Sequence, residues 1–211
     1  MAIYIDSSNL KHIRSVLELG WVRGVTTNPI LLNQSDLEAR GVLSAIKELT
    51  AGPVFYQLVA ENFEAMLDEA EEALEILEKR LVVKLPPNDL GFRVCSELSS
   101  KIACCPTAIY APAQALIARE VYAQYIAVYV NRATRLMGDG IQLIRDISEV
   151  LKGSRTELLA ASLKSPDEAI AALTAGAHHL TLPYETLSQL SFHTLSDAAI
   201  REFRETGSGI I

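Results

Sequence analysis

Eight short runs rich in Val, Ile, Leu and Tyr recur along the chain, each followed by a longer stretch of different periodicity. The runs are AIYID (2–6), RGVTT (23–27), PVFYQLV (53–59), RLVVKL (80–85), KIACC (101–105), QYIAVYV (124–130), ELLAAS (157–162) and HHLTL (178–182). Most lack strict apolar–polar alternation, the pattern of parallel strands buried on both faces. The stretches between them predict helices over 8–19, 36–50, 89–99, 112–123, 140–151, 166–175 and 184–190. A further helix follows the third run. There Phe63, Met66, Leu67, Ala70, Leu74 and Leu77 recur at helical spacing, and Glu61, Glu64, Asp68, Glu71, Glu75 and Glu78 fill a solvated face. Ser165 before Pro166, Asp167 and Glu168 forms a capped helix opening.

A polar residue stands near the end of each successive run: Asp6, Thr26, Gln57, Lys84, Thr107, Tyr129, Ser162 and, less polar, Leu182. Each interval of 20 to 33 residues holds one strand, a loop, a helix and a return loop. Eight such units predict an α/β fold: a single (β/α)8 TIM barrel spanning residues 1–211, with an extra C-terminal helix and tail over about 194–211. A doubly wound open sheet is the competing architecture. The first turn, DSSNLK, has no glycine-rich dinucleotide fingerprint, and no GxxxxGK[ST] loop occurs, so the barrel is preferred.

Composition removes other classes. With 49% hydrophobic and 21% charged residues, the chain is too apolar to stay disordered. A net charge of −7 lacks the footprint of a general nucleic-acid binder, and no polybasic segment suits an anionic membrane. A local basic pocket for a small anion is still compatible with that total. The N-terminus MAIYIDSSNLKH has no signal-peptide pattern, and no run of about 18 apolar residues occurs. Cys95, Cys104 and Cys105 make neither a disulfide framework nor a four-ligand zinc pattern. His178 and His179 sit in one strand and point to opposite faces, so they cannot chelate together. A soluble, reduced, cytoplasmic protein is expected, with no metal or cofactor and no nucleic-acid or membrane partner.

Barrel sites are built at the C-terminal ends of strands. Lys84, inside LVVKLPP, is the most informative residue there. It is either a desolvated nucleophilic amine at the barrel mouth or a lysine that snorkels to solvent. Asp6 is a helix cap or a catalytic acid facing the same mouth. Thr26, Thr27, Asn28 and Pro29 also suit an ordinary turn. Gln57 is a satisfied buried amide or a water-positioning group. Arg132, after Tyr129 and Asn131, either holds a phosphate bidentately or pairs on the surface.

The segments YIDSSN with Asp6, GVTTNP (24–29), FYQLVA (55–60), VVKLP (82–86), PTAIYAPAQ (106–114), YVNR (129–132), GIQLI (140–144), AASLKSP (160–166) and LTLP (180–183) follow one another in a set order. In this the chain resembles the transaldolase family, and most closely its short, fructose-6-phosphate aldolase-like branch. The resemblance implies that Lys84 forms a Schiff base with a sugar ketone or dihydroxyacetone, without a cofactor. It assigns acid–base work to Asp6 and places a catalytic water among Gln57, Thr107 and Tyr129. Asn28 and Ser162, in a mouth that Thr26 also lines, would bind the hydroxyls of the three-carbon donor. Arg132, with the Ser162 region and Lys164, would hold the acceptor's phosphate.

Transaldolases proper usually carry Glu at the position of Gln57 and Phe at that of Tyr129. The Gln/Tyr combination therefore implies an aldolase that cleaves fructose 6-phosphate reversibly to dihydroxyacetone and glyceraldehyde 3-phosphate. Transaldolase transfer is the alternative, and a non-catalytic sugar-phosphate-binding barrel a distant one. The chain departs from the family at Thr134, where an acidic residue is usual, at the CCP segment before Thr107 and in LPPNDLGF after Lys84. The resemblance also implies a homo-oligomer, a pentamer or decamer, with the C-terminal tail docked on a neighbour.

Overall fold

The computed structural model describes residues 1–210. Eight strands alternate with helices in chain order: β1 (Ala2–Asp6), α1 (Leu10–Leu17), β2 (Val22–Thr26), α2 (Pro29–Asn33), α3 (Ala39–Leu49), β3 (Val54–Gln57), α4 (Phe63–Leu77), β4 (Leu81–Leu85), α5 (Asp89–Leu98) and β5 (Ala103–Pro106). Then come α6 (Pro112–Glu120), β6 (Tyr125–Tyr129), α7 (Val130–Met137), α8 (Gly140–Leu151), β7 (Glu157–Ala161), α9 (Pro166–Thr174), β8 (His179–Leu182), α10 (Tyr184–Leu187) and α11 (Thr194–Thr206). The strands pair in parallel in the order β5-β4-β3-β2-β1-β8-β7-β6. Between β5 and β6 the ring is drawn together by Ile109 N donating to Ala127 O at 3.0 Å. The result is the expected (β/α)8 barrel.

Most elements keep their place with ends shifted by a few residues, and two of the shifts, after β2 and β6, bear on the C-terminal ends of strands. The Asn28-Pro29 turn is the start of a short helix: Asn28 Oδ1 accepts from Leu31 N at 3.0 Å, and Pro29 takes the first helical position. The sixth apolar run ends one residue early because Val130 opens α7, which buries Val130 and Ala133. An apolar side chain suits both a strand and the inner face of a helix, so periodicity alone cannot separate them. Ser165 is the cap of α9 as expected, accepting from Glu168 N.

The pleat divides the apolar residues into two populations. Ile5, Val25, Val54, Val83, Leu85, Cys104, Ile126, Val128, Leu158 and Leu180 face the surrounding helices. Tyr4, Phe55, Val82, Cys105, Tyr125, Ala127 and Leu159 fill the barrel interior. Cys104 and Cys105 thus serve different cores, both as buried free thiols. Gly24 and Gly52 let β2 approach the start of β3: a Cβ on Gly24 would lie 2.2 Å from Pro53 O, and one on Gly52 1.7 Å from Arg23 O. None of the described helices is long and apolar enough to cross a membrane. The C-terminal helix appears where the sequence places it, and every residue of α11 is half-buried or exposed.

Aromatic rings plug the N-terminal end of the barrel. Tyr4, Phe55, Tyr125 and His179 meet edge-on or tilted, with centroids 5.1 to 5.9 Å apart. His179 Nδ1 accepts from Ala2 N at 3.1 Å, so Nε2 carries the proton toward Glu157 Oε2 at 3.0 Å. Burial pushes the His179 pKa below its ordinary 6.5. The unfolded chain then takes up a proton that the folded chain resists. Stability from this residue is complete above pH 6.5 and falls as the pH drops below it. His179→Phe should flatten the dependence of the melting temperature on pH between about 5 and 7.

Candidate active site

At the opposite end of the barrel, a cavity of about 420 Å³ opens among the strand ends. Asp6, Thr26 and Gln57 are the last residues of β1, β2 and β3, and Tyr129 is the last of β6. Lys84 is the penultimate residue of β4, while Thr107 and Ser162 directly follow β5 and β7. All of these line the cavity, together with Asn28, Arg132 and Lys164. Every site residue expected from the sequence therefore borders one space. Two other crevices open nearby, of about 670 Å³ along Asp6–His12 and Tyr184 and of about 410 Å³ beside Gln57 and Val59. Lys84 lines neither of these.

Lys84 points inward because it shares a face of β4 with Val82, while Val83 and Leu85 face the helices. Register sets it beside Gln57 on β3 and Cys105 on β5. It is 5% exposed. The one hydrogen bond of its side chain among the described residues runs from Nζ to Thr27 O, at 2.6 Å. Burial holds the pKa of the amine below the ordinary 10.5, against the opposing pull of the Asp6 charge. Asp6 moves the other way: burial raises its pKa, opposed by Lys84 and by its bond from Thr26. Both shifts favour a neutral amine beside a neutral acid.

Thr26 Oγ1 lies 2.7 Å from Asp6 Oδ1 and 2.6 Å from Thr181 Oγ1. A hydroxyl has one proton. When Asp6 is ionised, Thr26 donates to it and Thr181 donates to Thr26. Across the cavity, burial raises the pKa of the Tyr129 phenol above its ordinary 10.0, and the Thr107 hydroxyl lies nearby. Thr107 Oγ1 is buried without a hydrogen-bond partner among the described residues. The Arg132 guanidinium sits over the Tyr129 ring, 5.1 Å from its centroid. Ser162 and Ala108, both on the cavity wall, adopt φ of 59° and 57°. Non-glycine residues in this left-handed region cost about 1–3 kcal/mol each, and such strain clusters at functional sites.

The family model described as Transaldolase/Fructose-6-phosphate aldolase matches residues 3–208. The chain belongs to this family. It is 37% identical over 206 residues to a protein of Symbiobacterium thermophilum named "Probable transaldolase", covering 96% of this chain and 95% of that one. A protein of the same name from Geotalea uraniireducens is 34% identical over 208 residues, covering 97% of each chain. Among solved structures, thiamine phosphate pyrophosphorylase from Pyrococcus furiosus superposes with a TM-score of 0.65 over 99% of this chain and 97% of that one, at 16% identity. A mutant mandelate oxidase gives 0.63 over 96% of this chain and 70% of the other, at 14% identity. Those two likenesses concern the barrel alone.

In this member of the transaldolase/fructose-6-phosphate aldolase family, the eighth strand contributes Thr181, where the sequence marks Leu182. Leu182 is fully buried against the helices, and Thr181 is the residue that faces the cavity. The pleat distinguishes them, and a polar residue one place before the run's end was the available signal. Asp6 does not cap α1; Asn9 does, accepting from Lys11 N and His12 N. Thr134, at the departure from the family pattern, accepts from Gly140 N at 3.1 Å and so ties α7 to the start of α8.

The amine's titration can be followed directly. Borohydride trapping of a small carbonyl probe on Lys84, located by peptide mass spectrometry, should show a pH midpoint below 10.5. Replacing Asp6 by Asn removes the charge that favours the ammonium form. The midpoint in Asp6→Asn should therefore fall further.

Proposed function

We propose that the chain is a Schiff-base (class I) aldolase that cleaves fructose 6-phosphate reversibly to dihydroxyacetone and glyceraldehyde 3-phosphate. The family supplies the general chemistry. The observation that carries the aldolase reading is the Tyr129 hydroxyl on the cavity wall near the unpaired Thr107 hydroxyl, with Gln57 lining the same cavity.

The neutral Lys84 amine attacks the sugar's C2 carbonyl, and loss of water leaves an iminium. Asp6 gives its proton to that leaving water and, now ionised, takes the proton of the C4 hydroxyl. The C3–C4 bonding electrons move toward the iminium, which releases the aldehyde and leaves an enamine. Tyr129, through a water held by Gln57 and Thr107, returns a proton to C3. A second water then hydrolyses the iminium, which frees dihydroxyacetone and the neutral Lys84 amine and returns a proton to the Tyr129 phenolate. A buried hydroxyl without a protein partner, such as that of Thr107, is a natural anchor for such a water. Asn28 and Ser162 orient the donor hydroxyls beside Thr26, and Arg132 with Lys164 holds the phosphate.

Transaldolase transfer is the second reading, favoured by the name of the relatives. Both readings require a borohydride-trapped adduct of dihydroxyacetone on Lys84 and its loss in Lys84→Met. They part on whether glyceraldehyde 3-phosphate is released from fructose 6-phosphate without erythrose 4-phosphate. Acceptor-free release is the expected result, and strict dependence on the acceptor would establish the transferase instead. Tyr129→Phe should lower acceptor-free release by about 10²–10⁴-fold, the usual worth of a general acid, while adduct formation persists.

The same reading includes a homo-oligomer, a pentamer or decamer, assembled through α11. This helix leaves Leu195 at 73% and Phe203 at 70% exposure. Light scattering should give a multiple of the chain mass that falls toward the monomer in Phe203→Asp.

A further inference from the structure

Asn131 lies within YVNR, and Glu168 opens α9, yet the reaction above uses neither side chain. Asn131 sits in the first turn of α7, immediately before Arg132. Its Nδ2 donates to Glu168 Oε1 at 2.6 Å. The other carboxylate oxygen, Oε2, accepts from the backbone N of Lys164 at 2.7 Å. Asn131 is also bonded through its own backbone, its N donating to Ser162 O at 3.2 Å. Glu168 is anchored in turn by its N–H to Ser165 Oγ, at 3.1 Å.

One carboxylate thus joins two separate parts of the barrel mouth. On one side is the helix that carries Arg132; on the other is the loop that carries Ser162 and Lys164. The Arg132 and Lys164 side chains are exposed, so their attachment points depend on the backbone beneath them. That backbone turns at Ser162 through a left-handed residue, which needs surrounding bonds to persist. Hydrogen bonds to a carboxylate are shorter and stronger than neutral ones, which suits a strap between two loops. Glu168 itself does not line the cavity, and both of its oxygens are occupied by these donors.

We propose that Glu168, acting through Asn131 and the Lys164 amide, is a positioning residue that sets the gap between Arg132 and the Ser162–Lys164 loop and so confers preference for a phosphorylated substrate end. The inference rests on the reading of that end of the cavity as the phosphate site. Glu168→Gln keeps the shape but leaves one acceptor oxygen for two donors, and Glu168→Ala removes both bonds.

The test compares the addition of dihydroxyacetone to glyceraldehyde 3-phosphate and to unphosphorylated glyceraldehyde, in the wild-type protein and both variants. Each protein is also titrated calorimetrically with inorganic phosphate, with melting temperatures taken in parallel. The ratio of the two kcat/KM values should fall about tenfold in Glu168→Ala and less in Glu168→Gln, because small misplacements of a binding group are costly. Phosphate binding should weaken in the same order. A ratio unchanged in the folded variants overturns the proposal, whether or not both activities decline, because general structural damage lowers both alike. If Glu168→Ala does not fold, Glu168→Gln decides. If the wild-type protein adds dihydroxyacetone to neither aldehyde, the aldolase reading fails and the phosphate titration alone decides the strap. Graded weakening then supports it, and equal or absent binding overturns it.

Discussion

Lys84 Nζ is buried with a single 2.6 Å bond to a backbone carbonyl, and that desolvated amine sets the terms for the residues around it. Taking an ammonium out of water costs several kcal/mol even after relaxation. A close carboxylate partner would repay that cost but would also keep the lysine charged and unreactive. The barrel takes a middle course. Lys84 bonds to the Thr27 carbonyl and not to Asp6, while Asp6 is held by Thr26 and, behind it, Thr181. The Asp6 charge still acts on the amine through space, so its replacement changes protonation without removing a direct partner.

The two ends of the barrel have separate duties. Interlocked rings and His179 close the base, where burial and close contact serve stability. The open end carries the polar residues, the strained Ser162 and Ala108, and the exposed cations. The overall charge of −7 is no obstacle to binding an anion there. Much of the acidity lies on outer helices such as α4, and solvent screens exposed charges beyond about a Debye length.

The eight strand–helix units were legible because parallel strands covered on both faces leave dense apolar runs with regular spacing. The inward-facing residues at their ends were legible for the same reason, since a Lys or Gln interrupting such a run needs an explanation. Family resemblance assigned roles to ten residues, and geometry brings those ten to one cavity. What escaped the sequence depended on the pleat or on tertiary contacts. Thr181 and Leu182 differ only in which face they occupy. The helices α2 and α7 begin with residues equally at home in a turn or strand. Nothing local to Asn131 or Glu168 reveals that they meet across 37 positions of chain.

Seven of the strand junctions are ladders, but β5 and β6 are joined through the bond from Ile109 N to Ala127 O and the single bridge between Ile109 and Val128. Thr107 and Tyr129 flank this seam. Elsewhere around the ring, the spacing of facing side chains is fixed by ladders of two to five paired residues. Here it hangs on the path of a few loop residues, including Ala108 with its left-handed backbone. The relative placement of Thr107 and Tyr129 is therefore set by loop geometry more than by a strand ladder. Substitutions in the Ala108–Tyr110 segment offer evolution a way to shift Thr107 against Tyr129 while leaving the buried amine untouched.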